Sequence, residues 1–483
     1  MSNGVNERFD FAAPLPALAD VPHVHMIAVG GSGMSGVARL FLAAGVTLSG
    51  SDNVDLPVLD DLRAQGARIE LGYDAANVAD VPDGAVVLIS SAINEANPEL
   101  VEVRRRGLPV LHRSQGLAML MRAGRGLAVA GANGKTTTSG MATAALVAAG
   151  EKPSFAIGAN VAGLGVNAAP GEGEIFVVEA DESDGSFVVY HPQVAIVTNI
   201  KDDHLDFYGT SANLAHAYET FAATIAPQGL LVACADDEGS LALAQRRRAA
   251  GARVLTYGRD TDADVRIVAE SGEGFDWRMS LRDGDAVHDV ALHVPGAHNL
   301  LNAAGVYTAL VHGFGLAPAD VARGLGAFRG TSRRFEPRGE AGGVRVVDDY
   351  AHNPGKLDAL VRTAAGLKDD GELIVIFQPH LYSRTQHAAT GLAAALDGAD
   401  HAFVLDVYGA REQPVAGVSG ALITDRMTSG RGEFTPTADD ALARVLDVAR
   451  PGDLVVTVGA GDVTHLGPRI LTGLKTREGE VEG

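Results

Sequence analysis

The chain has 483 residues, of which 46% are hydrophobic and 20% charged, and its formal net charge is -21. Since domains usually hold roughly 100–200 residues, this length predicts two to four domains. The negative charge argues against nucleic acid or an anionic membrane as the main partner, but small anionic ligands need only a local positive site. Cys234 is the only cysteine, which excludes an intramolecular disulfide.

Two features bear on where the protein works. No apolar run approaches the roughly 18 residues of a membrane-spanning helix. The polar start, residues 1–10, lacks the basic-then-apolar order of a signal peptide. We therefore expect a cytoplasmic protein without membrane insertion; the sequence leaves monomer and homodimer equally open.

The first segment predicts a strand, a glycine loop and a helix. Apolar residues 23–29 precede Gly31, Gly33 and Gly36, which have the spacing G-x-G-x-x-G, and Asp52 follows after a second strand. An acidic residue about 20 positions after such a loop is typical of dinucleotide-binding units. The pattern alone indicates a diphosphate at a helix N-terminus more firmly than it indicates a nicotinamide cofactor.

A second glycine loop predicts a nucleoside triphosphate site. Residues 131–138 read Gly-Ala-Asn-Gly-Lys-Thr-Thr-Thr, between an apolar strand at 127–130 and a helical segment at 141–149. Loop N–H groups and the lysine suit phosphates, and the threonine hydroxyl suits Mg²⁺. The loop is shorter than G-x-x-x-x-G-K-[ST], because Val129 stands in place of the first glycine.

Polar clusters follow the next two apolar strands. The acidic run 179–184 begins with Glu179 at a strand end, and His204 lies in the run 199–206. A solvated loop and a surface histidine are the simpler interpretations. Beside a phosphate loop we favour Mg²⁺ ligands, since Mg²⁺ takes oxygen ligands and bridges phosphates.

Further along, residues 295–302 predict the start of a helix that carries His298, Asn299 and Asn302. Amide groups on one face suit hydrogen bonding to adenine and ribose. Helix capping by an asparagine explains one of these residues but not all three. Just before them, charged alternation over 261–294 predicts a small antiparallel insertion.

The last part of the chain again alternates strands and helices. Arginine, histidine and aspartate recur at strand ends, in the runs 333–335, 348–354 and 377–385. Arginines there are able to clamp a phosphate or a carboxylate bidentately. We predict an α/β protein of three domains: Rossmann-like at 1–122, a P-loop ATPase-like parallel sheet at 123–330, and Rossmann-like at 331–483.

In this order, the motifs resemble those of the Mur ligase family, from about His25 to Leu466. The matching segments are 131–138, 179–186, 198–206, 298–302, 333–335 and 348–352. The first glycine loop, residues 377–380 and residues 406–412 resemble the alanine-adding branch of the family.

The resemblance implies two substrates, UDP-N-acetylmuramate and L-alanine, with ATP and Mg²⁺ as cofactors, in peptidoglycan synthesis. It implies that UDP-N-acetylmuramate contacts Gly31, Gly33, Ser51 and Asp52. It implies that ATP contacts Gly131, Ala132, Asn133, Gly134, Lys135, Thr136, Thr137, His298, Asn299, Asn302, Arg334 and Asp349. The implied Mg²⁺ ligands are Thr136, Glu179 and His204. The residues expected near L-alanine are His352, His380 and Arg384.

The implied reaction passes through an acyl phosphate, which the alanine amine then attacks. The residues expected to carry catalysis are Lys135, His204, His352 and Arg384. Three positions depart from the family pattern: Asn133 replaces a histidine of the ATP loop, Leu381 replaces an arginine of some members, and Asn353 replaces a histidine often seen in the alanine-adding branch.

Three alternatives stay open at the level of sequence. A murein tripeptide-recycling ligase shares the first two sets of motifs, but residues 377–385 favour the alanine enzyme. A nicotinamide-dependent oxidoreductase explains Gly31, Gly33 and Gly36 but leaves the Lys135 loop unexplained. A nucleotide-binding regulator without turnover accommodates Asn133.

Overall fold

The computed structural model describes residues 6–368, 370–410 and 412–481. Residues 1–5 of the polar start and Arg411 of the 406–412 motif lie outside the described residues. By their internal contacts, the residues form two compact units. One unit comprises Met1–Ser271, Arg278–His293 and Ala297–Arg329, and the other comprises Gly272–Trp277, Val294–Gly296 and Gly330–Gly483.

The first unit begins with a five-stranded parallel sheet in the order β3-β2-β1-β4-β5. Its strands are β1 His23–Ile27, β2 Thr47–Asp52, β3 Arg68–Leu71, β4 Val86–Ile89 and β5 Val110–His112. The helices are α1 Ser32–Ala43, α2 Pro57–Ala64, α3 Pro98–Arg105 and α4 Arg113–Met121. The strand order reverses between β1 and β4, which in such sheets opens a crevice beyond the strand ends.

A ten-stranded sheet follows, in the order β15-β14-β13-β12-β11-β10-β6-β9-β7-β8. The strands before the insertion are β6 Arg125–Ala130, β7 Ser154–Ala156, β8 Ala168–Ala169, β9 Ile175–Glu179, β10 Val194–Val197, β11 Leu230–Cys234 and β12 Val254–Gly258. The insertion supplies β13 Val265–Glu273, β14 Asp276–Asp283 and β15 Ala286–Leu292. The helices are α5 Lys135–Ala148, α6 Leu205–Tyr208, α7 Ser211–Ala223, α8 Glu238–Ala249, α9 His298–Thr308 and α10 Pro318–Leu325.

The centre of this sheet is a set of buried parallel strands. From Gly126 to Ala130, β6 is buried throughout, and it pairs in parallel with β9 on one side and β10 on the other. Continuous apolar runs are typical of strands that are covered on both faces. Because the carboxyl ends of parallel strands lie at one edge, the segments after β6, β9 and β10 meet there.

The second unit contains a six-stranded sheet in the order β16-β17-β21-β18-β19-β20. Only β16 pairs antiparallel, with β17. Its strands are β16 Glu336–Ala341, β17 Val344–Asp349, β18 Leu373–Gln378, β19 His401–Val404, β20 Gly432–Phe434 and β21 Leu454–Gly459. The helices are α11 Pro354–Ala365, α12 Tyr382–Leu396, α13 Ala421–Thr424, α14 Ala438–Val448 and α15 Leu466–Val481.

Buried apolar residues cover both faces of the third sheet, one cluster beneath α11 and α12 and another beneath α14 and α15. In the first unit, one continuous cluster includes buried residues of both sheets. The helix that follows the phosphate loop, α5, packs closely on α10. A Cβ at Gly324 would lie 2.7 Å from the Ala145 carbonyl oxygen, so only glycine fits this approach.

Most strands predicted from apolar runs occur within two residues of their expected ends; β2, predicted at 46–49, continues three residues further to Asp52. The predicted insertion is confirmed as β13–β15: β13 and β14 are joined by only two residues, a connection that antiparallel neighbours allow. The domain boundaries at 122/123 and 330/331 stay predictions.

Candidate functional site

The phosphate loop connects the end of β6 to the start of α5. Gly131 and Gly134 have φ values of 137° and 87°, which lie in the region that favours glycine. A Cβ at Gly131 would come within 2.0 Å of the Thr198 hydroxyl oxygen. The first-turn N–H groups of α5 have no partners within the helix, and together with the helix dipole they suit an anion.

Lys135, at the first position of α5, faces a carboxylate from the segment after β9. Its Nζ lies 2.6 Å from Glu182 Oε2 and 2.8 Å from the carbonyl oxygen of Gly131. Burial alone would lower the pKa of Lys135, but Glu182 and Asp181 outweigh it, so that the pKa is raised. Burial also raises the pKa of Glu182, which favours a neutral carboxyl and opposes the pairing. The 2.6 Å contact identifies the ion pair as the state in this structure.

The structure brings His204 together with Asp181 and Glu182. One potential metal-ligand atom from each of the three side chains lies within 4.8 Å of the other two, so the three residues together are able to hold a metal ion. Glu179 is engaged separately: its Oε1 accepts from the Thr136 hydroxyl at 2.9 Å, and its Oε2 accepts from the Gly158 N–H at 2.7 Å. Of the three predicted Mg²⁺ ligands, Thr136 and Glu179 therefore touch each other, while His204 faces Asp181 and Glu182.

One atom of this cluster fits a bound cation. Glu182 is 1% exposed, and its Oε1 has no hydrogen-bond partner among the described residues. An unsatisfied buried carboxylate oxygen is costly unless something charged or polar is bound there. Carboxylate and hydroxyl oxygens are the ligands that Mg²⁺ prefers. The residues at this edge of the sheet therefore suit Mg²⁺.

Helix α9 brings two asparagines to the phosphate loop. The Asn302 side chain touches the loop at Gly134: a Cβ added to Gly134 would lie 2.9 Å from Asn302 Oδ1. Its Nδ2 donates to Asn299 Oδ1 at 3.0 Å, and both asparagines are buried. Burial, followed by the charge of Arg259, lowers the pKa of His298. Asn302 therefore touches the loop, Asn299 touches Asn302, and the lowered pKa of His298 favours its neutral form.

The first glycine loop lies at the start of α1, beneath Arg113. A Cβ at Gly33 would overlap Arg113 Nη1 at 1.8 Å, whereas one at Gly31 would meet nothing closer than 3.5 Å. Asp52 accepts from the Gly30 N–H at 2.8 Å and so closes the loop against β2. An arginine over a helix N-terminus is suited to a diphosphate.

Ser51 points away from this loop. Its side chain is fully buried, and its hydroxyl donates to Glu99 Oε2 at 2.7 Å. Glu99 also pairs with His25 Nε2 at 3.1 Å and accepts from Asn77 Nδ2 at 2.7 Å. The hydroxyl of Ser51 is therefore committed to a buried network, and a direct contact with substrate stays a prediction.

In the second unit, Asp349 ends β17 and organises the chain around it. Its two oxygens accept from the N–H groups of Phe335 at 2.8 Å and Ala351 at 2.7 Å. Burial raises the pKa of Asp349, and the nearby Arg334 opposes that shift. The Arg334 guanidinium lies over the ring of Tyr350, 5.3 Å from its centre. The predicted pair Arg334 and Asp349 is thus assembled at one strand end.

His352 lies next to this pair. Burial, with the charges of Lys356 and Arg384 adding to it, lowers the pKa of His352 to about 3. Its Nδ1 is 2.9 Å from the carbonyl oxygen of Tyr350, so the ring is neutral with Nδ1–H as donor. Arg384 lies in the first turn of α12, and His380, just before that helix, stacks against Tyr408.

Comparison with known proteins identifies the family. Residues 23–125 match the profile described as Mur ligase family, catalytic domain. Residues 129–310 match the Mur ligase middle domain, and residues 333–461 match the Mur ligase glutamate ligase domain. The chain belongs to the Mur ligase family. It is therefore an ATP-dependent ligase, and the predicted family is confirmed.

Among curated Mur ligases, the chain is similar to two that are named UDP-N-acetylmuramate–L-alanine ligase. The protein of Paenarthrobacter aurescens strain TC1 is 50% identical over 95% of this chain and 99% of its own length. That of Kineococcus radiotolerans is 48% identical over 96% and 99%.

Among solved structures, the UDP-N-acetylmuramate–alanine ligase of Thermotoga maritima has a TM-score of 0.78 at 28% identity, covering 94% of this chain and 99% of that one. A murein peptide ligase of Psychrobacter arcticus has a TM-score of 0.68 at 24% identity, covering 94% and 98%, and so shares the fold. The predicted three-domain α/β fold of a Mur ligase is confirmed.

The sequence interpretation did not single out several residues that contact the predicted ones. Glu182 and Asp181 stood in the acidic run, but only Glu179 was chosen because it ends the strand. The residue that pairs with Lys135 is Glu182, which is three positions further. Arg113 was not considered, although it directly follows β5, a strand end of the same sheet. Position at a strand end was the available signal for it.

Proposed function

We propose that this chain joins L-alanine to the carboxylate of UDP-N-acetylmuramate at the expense of ATP, in peptidoglycan precursor synthesis. The observation that carries the proposal is the similarity, at 50% identity and along 95% of the chain, to a ligase with that name. The site supports it, because a phosphate loop with a paired lysine lies beside a carboxylate cluster.

The reaction has two bond-forming steps. A muramoyl carboxylate oxygen attacks the γ-phosphorus of ATP, and the bond to the β-phosphate oxygen breaks, giving an acyl phosphate and ADP. The amine of L-alanine then attacks the acyl carbon, and phosphate leaves with the former carboxylate oxygen. Phosphoryl transfer is catalysed chiefly by positioning and by neutralising charge.

In this scheme, Lys135 leaves Glu182 and neutralises the β- and γ-phosphates. The loop residues 131–137 surround the triphosphate, and Asn299 and Asn302 contact the nucleotide with His298. Mg²⁺, held by Thr136, Glu179 and His204 with Asp181 and Glu182 nearby, would neutralise phosphate charge. The raised pKa of Lys135 supports the charged state that this role needs.

The other roles belong to residues around the two remaining substrates. Gly31, Gly33 and Asp52 border the diphosphate of UDP-N-acetylmuramate, and Arg113 lies over the same loop. The family resemblance assigns Arg334 and Asp349 to nucleotide binding. Arg384 binds the alanine carboxylate with His380 and His352 beside it, and His352 is neutral above its pKa of about 3.

The protein is proposed to act in the cytoplasm, as a monomer or a homodimer. None of the helices in the described part of the chain is long and apolar enough to cross a membrane. Because the chain has a large negative net charge, we propose small-molecule substrates rather than nucleic acid as the partners of the protein.

The test is phosphate release from ATP by the purified protein with UDP-N-acetylmuramate and one amine at a time. We expect release and a UDP-N-acetylmuramoyl-L-alanine product with L-alanine, and little with the murein tripeptide L-alanyl-γ-D-glutamyl-meso-diaminopimelate. Faster release with that tripeptide would assign the chain to peptide recycling instead. Absence of turnover with every amine would indicate a nucleotide-binding regulator.

A further inference from the structure

The end of β10 supplies a set of contacts to the phosphate loop that no role has yet explained. Ala132 donates its N–H to the carbonyl oxygen of Asn199 at 3.2 Å, and Asn133 donates its N–H to Asn199 Oδ1 at 3.0 Å. The carbonyl oxygen of Asn133 accepts from Asn199 Nδ2 at 2.9 Å and from the Thr198 hydroxyl at 2.7 Å. The side chains of Thr198 and Asn199 therefore bond both backbone polar groups, the N–H and the carbonyl, of Asn133.

The side chain of Asn133 takes no part in these contacts. It makes no hydrogen bond within the described part of the chain, and only the backbone of residue 133 is held. The histidine that the family usually has at this position would leave the same backbone bonds in place. The loop conformation is thus independent of the side chain at 133, the position where this chain departs from the family pattern.

The contacts also select which N–H groups face a phosphate. Because the N–H groups of Ala132 and Asn133 are used by Asn199, the donors left for a ligand begin at Gly134, at the start of α5. Thr198 is 3% exposed, and its hydroxyl fills the space where a Cβ at Gly131 would stand. A loop held in this way meets ATP without further ordering, which lowers the cost of binding.

We propose that Thr198 and Asn199 are positioning residues that hold the phosphate loop in its ATP-binding conformation, a task in which the side chain of residue 133 has no part. The proposal rests on the proposed function, since it takes ATP as the ligand of this loop. Neither residue needs to touch the substrate. Their effect on turnover passes through the backbone of Ala132 and Asn133.

The experiment compares variants that lose these bonds with variants that keep them. Asn199→Ala removes both side-chain bonds to residue 133, and Thr198→Val removes the hydroxyl while keeping the shape. Thr198→Ser keeps the hydroxyl. Asn213→Ala is the matched control, since Asn213 Nδ2 also donates to a backbone carbonyl, that of Tyr208, in the same sheet domain.

The readouts are KM for ATP, KM for UDP-N-acetylmuramate, and the dissociation constant of a non-hydrolysable ATP analogue. We expect Asn199→Ala and Thr198→Val to raise the ATP constants about tenfold, the change that one or two net hydrogen bonds predict. KM for UDP-N-acetylmuramate should change less than about twofold by the same arithmetic. Thr198→Ser and Asn213→Ala should both resemble the unmodified protein.

Two results would overturn the proposal. One is ATP binding by Asn199→Ala that equals that of the unmodified protein. The other is an equal rise in KM for both ATP and UDP-N-acetylmuramate, which would indicate a general loss of structure. A failure of the proposed function is distinguishable, because the unmodified protein itself would then release no phosphate.

Discussion

At the scale of single residues, the site is organised around a buried ion pair. The Lys135 side chain is 12% exposed and that of Glu182 is 1% exposed. Such pairs add little net stability, because the cost of removing two charges from water offsets their attraction. We therefore interpret the pair as a resting state: Glu182 keeps Lys135 charged until the phosphates of ATP compete for it.

The first prediction concerns Glu179 and Mg²⁺. Glu179→Gln replaces one carboxylate oxygen with an amide at the Thr136 hydroxyl, which weakens a site for a hard cation. We expect the Mg²⁺ concentration for half-maximal phosphate release to rise about tenfold, as losing one charged ligand predicts. The matched control is Glu174→Gln, exposed just before the start of the same strand. An unchanged Mg²⁺ requirement in Glu179→Gln would argue for Asp181 and Glu182 as the ligands.

The second prediction concerns pH and His352. Its pKa is about 3 in the folded protein, against 6.5 for the ordinary side chain. Between these values the unfolded chain binds a proton that the folded chain does not, so stability falls as the pH falls from about 6.5. From pH 6.5 to 5 the loss is about 2 kcal/mol.

His352→Gln removes the titrating imidazole, so neither the folded nor the unfolded chain binds a proton at this position. Thermal unfolding of this variant, followed at pH 7.5 and pH 5, should show a smaller loss of stability at the lower pH than the unmodified protein shows. Identical losses in the two proteins would mean that His352 titrates in the folded state near its ordinary pKa.

At the scale of elements, one rule places the candidate site: polar segments follow buried parallel strands. The phosphate loop follows β6, the carboxylates follow β9, and the Thr198–Asn199 pair follows β10. Apolar runs in the sequence were sufficient to predict these strands and to predict which polar segment follows each of them. Which polar side chain turns toward which partner depends on the local path of each loop, which the residue types leave open.

Two residues illustrate that limit. Ser51 directly precedes Asp52, but alternation along β2 turns its hydroxyl to the buried Glu99, and its predicted contact with substrate stays a prediction. Glu182 was one of several acidic residues in a run, and only the turn after β9 distinguishes it as the partner of Lys135. Strand positions were thus predictable, whereas side-chain pairing across loops required the three-dimensional arrangement.

The third prediction tests the strand–loop–helix element with two glycines of positive φ. Gly150→Ala, at φ 85°, meets no atom within 4 Å, so it should cost only backbone strain of about 1 kcal/mol and leave KM for ATP unchanged. Gly131→Ala, at φ 137°, also drives a Cβ to 2.0 Å from the Thr198 hydroxyl oxygen.

Gly131→Ala must therefore displace the loop or the end of β10. We expect KM for ATP to rise by at least about tenfold, since a displaced loop misplaces its phosphate donors. Steady-state kinetics with ATP as the varied substrate, together with thermal unfolding of both variants, would check this. Equal kinetics in the two variants would show that the close contact at Gly131 is not needed for ATP binding.

At the scale of the whole molecule, three mainly parallel sheets each carry one of the predicted motifs: the first glycine loop, the phosphate loop, and a cluster of arginine, histidine and aspartate. Similarity to L-alanine-adding Mur ligases extends over all three. The motifs resemble those of the Mur ligase family and occur in the same order along the chain, which was enough to predict this family and fold. The domain boundaries stay predictions.

The central claim is that the carboxylate of UDP-N-acetylmuramate is activated by direct transfer of the γ-phosphoryl group. This is tested most directly with UDP-N-acetylmuramate labelled with ¹⁸O in both carboxylate oxygens, incubated with ATP and L-alanine. Because the acyl–oxygen bond breaks when the amine attacks, the account predicts one labelled oxygen in each inorganic phosphate released and none in ADP. Labelled AMP with pyrophosphate, or phosphate without label, would contradict it.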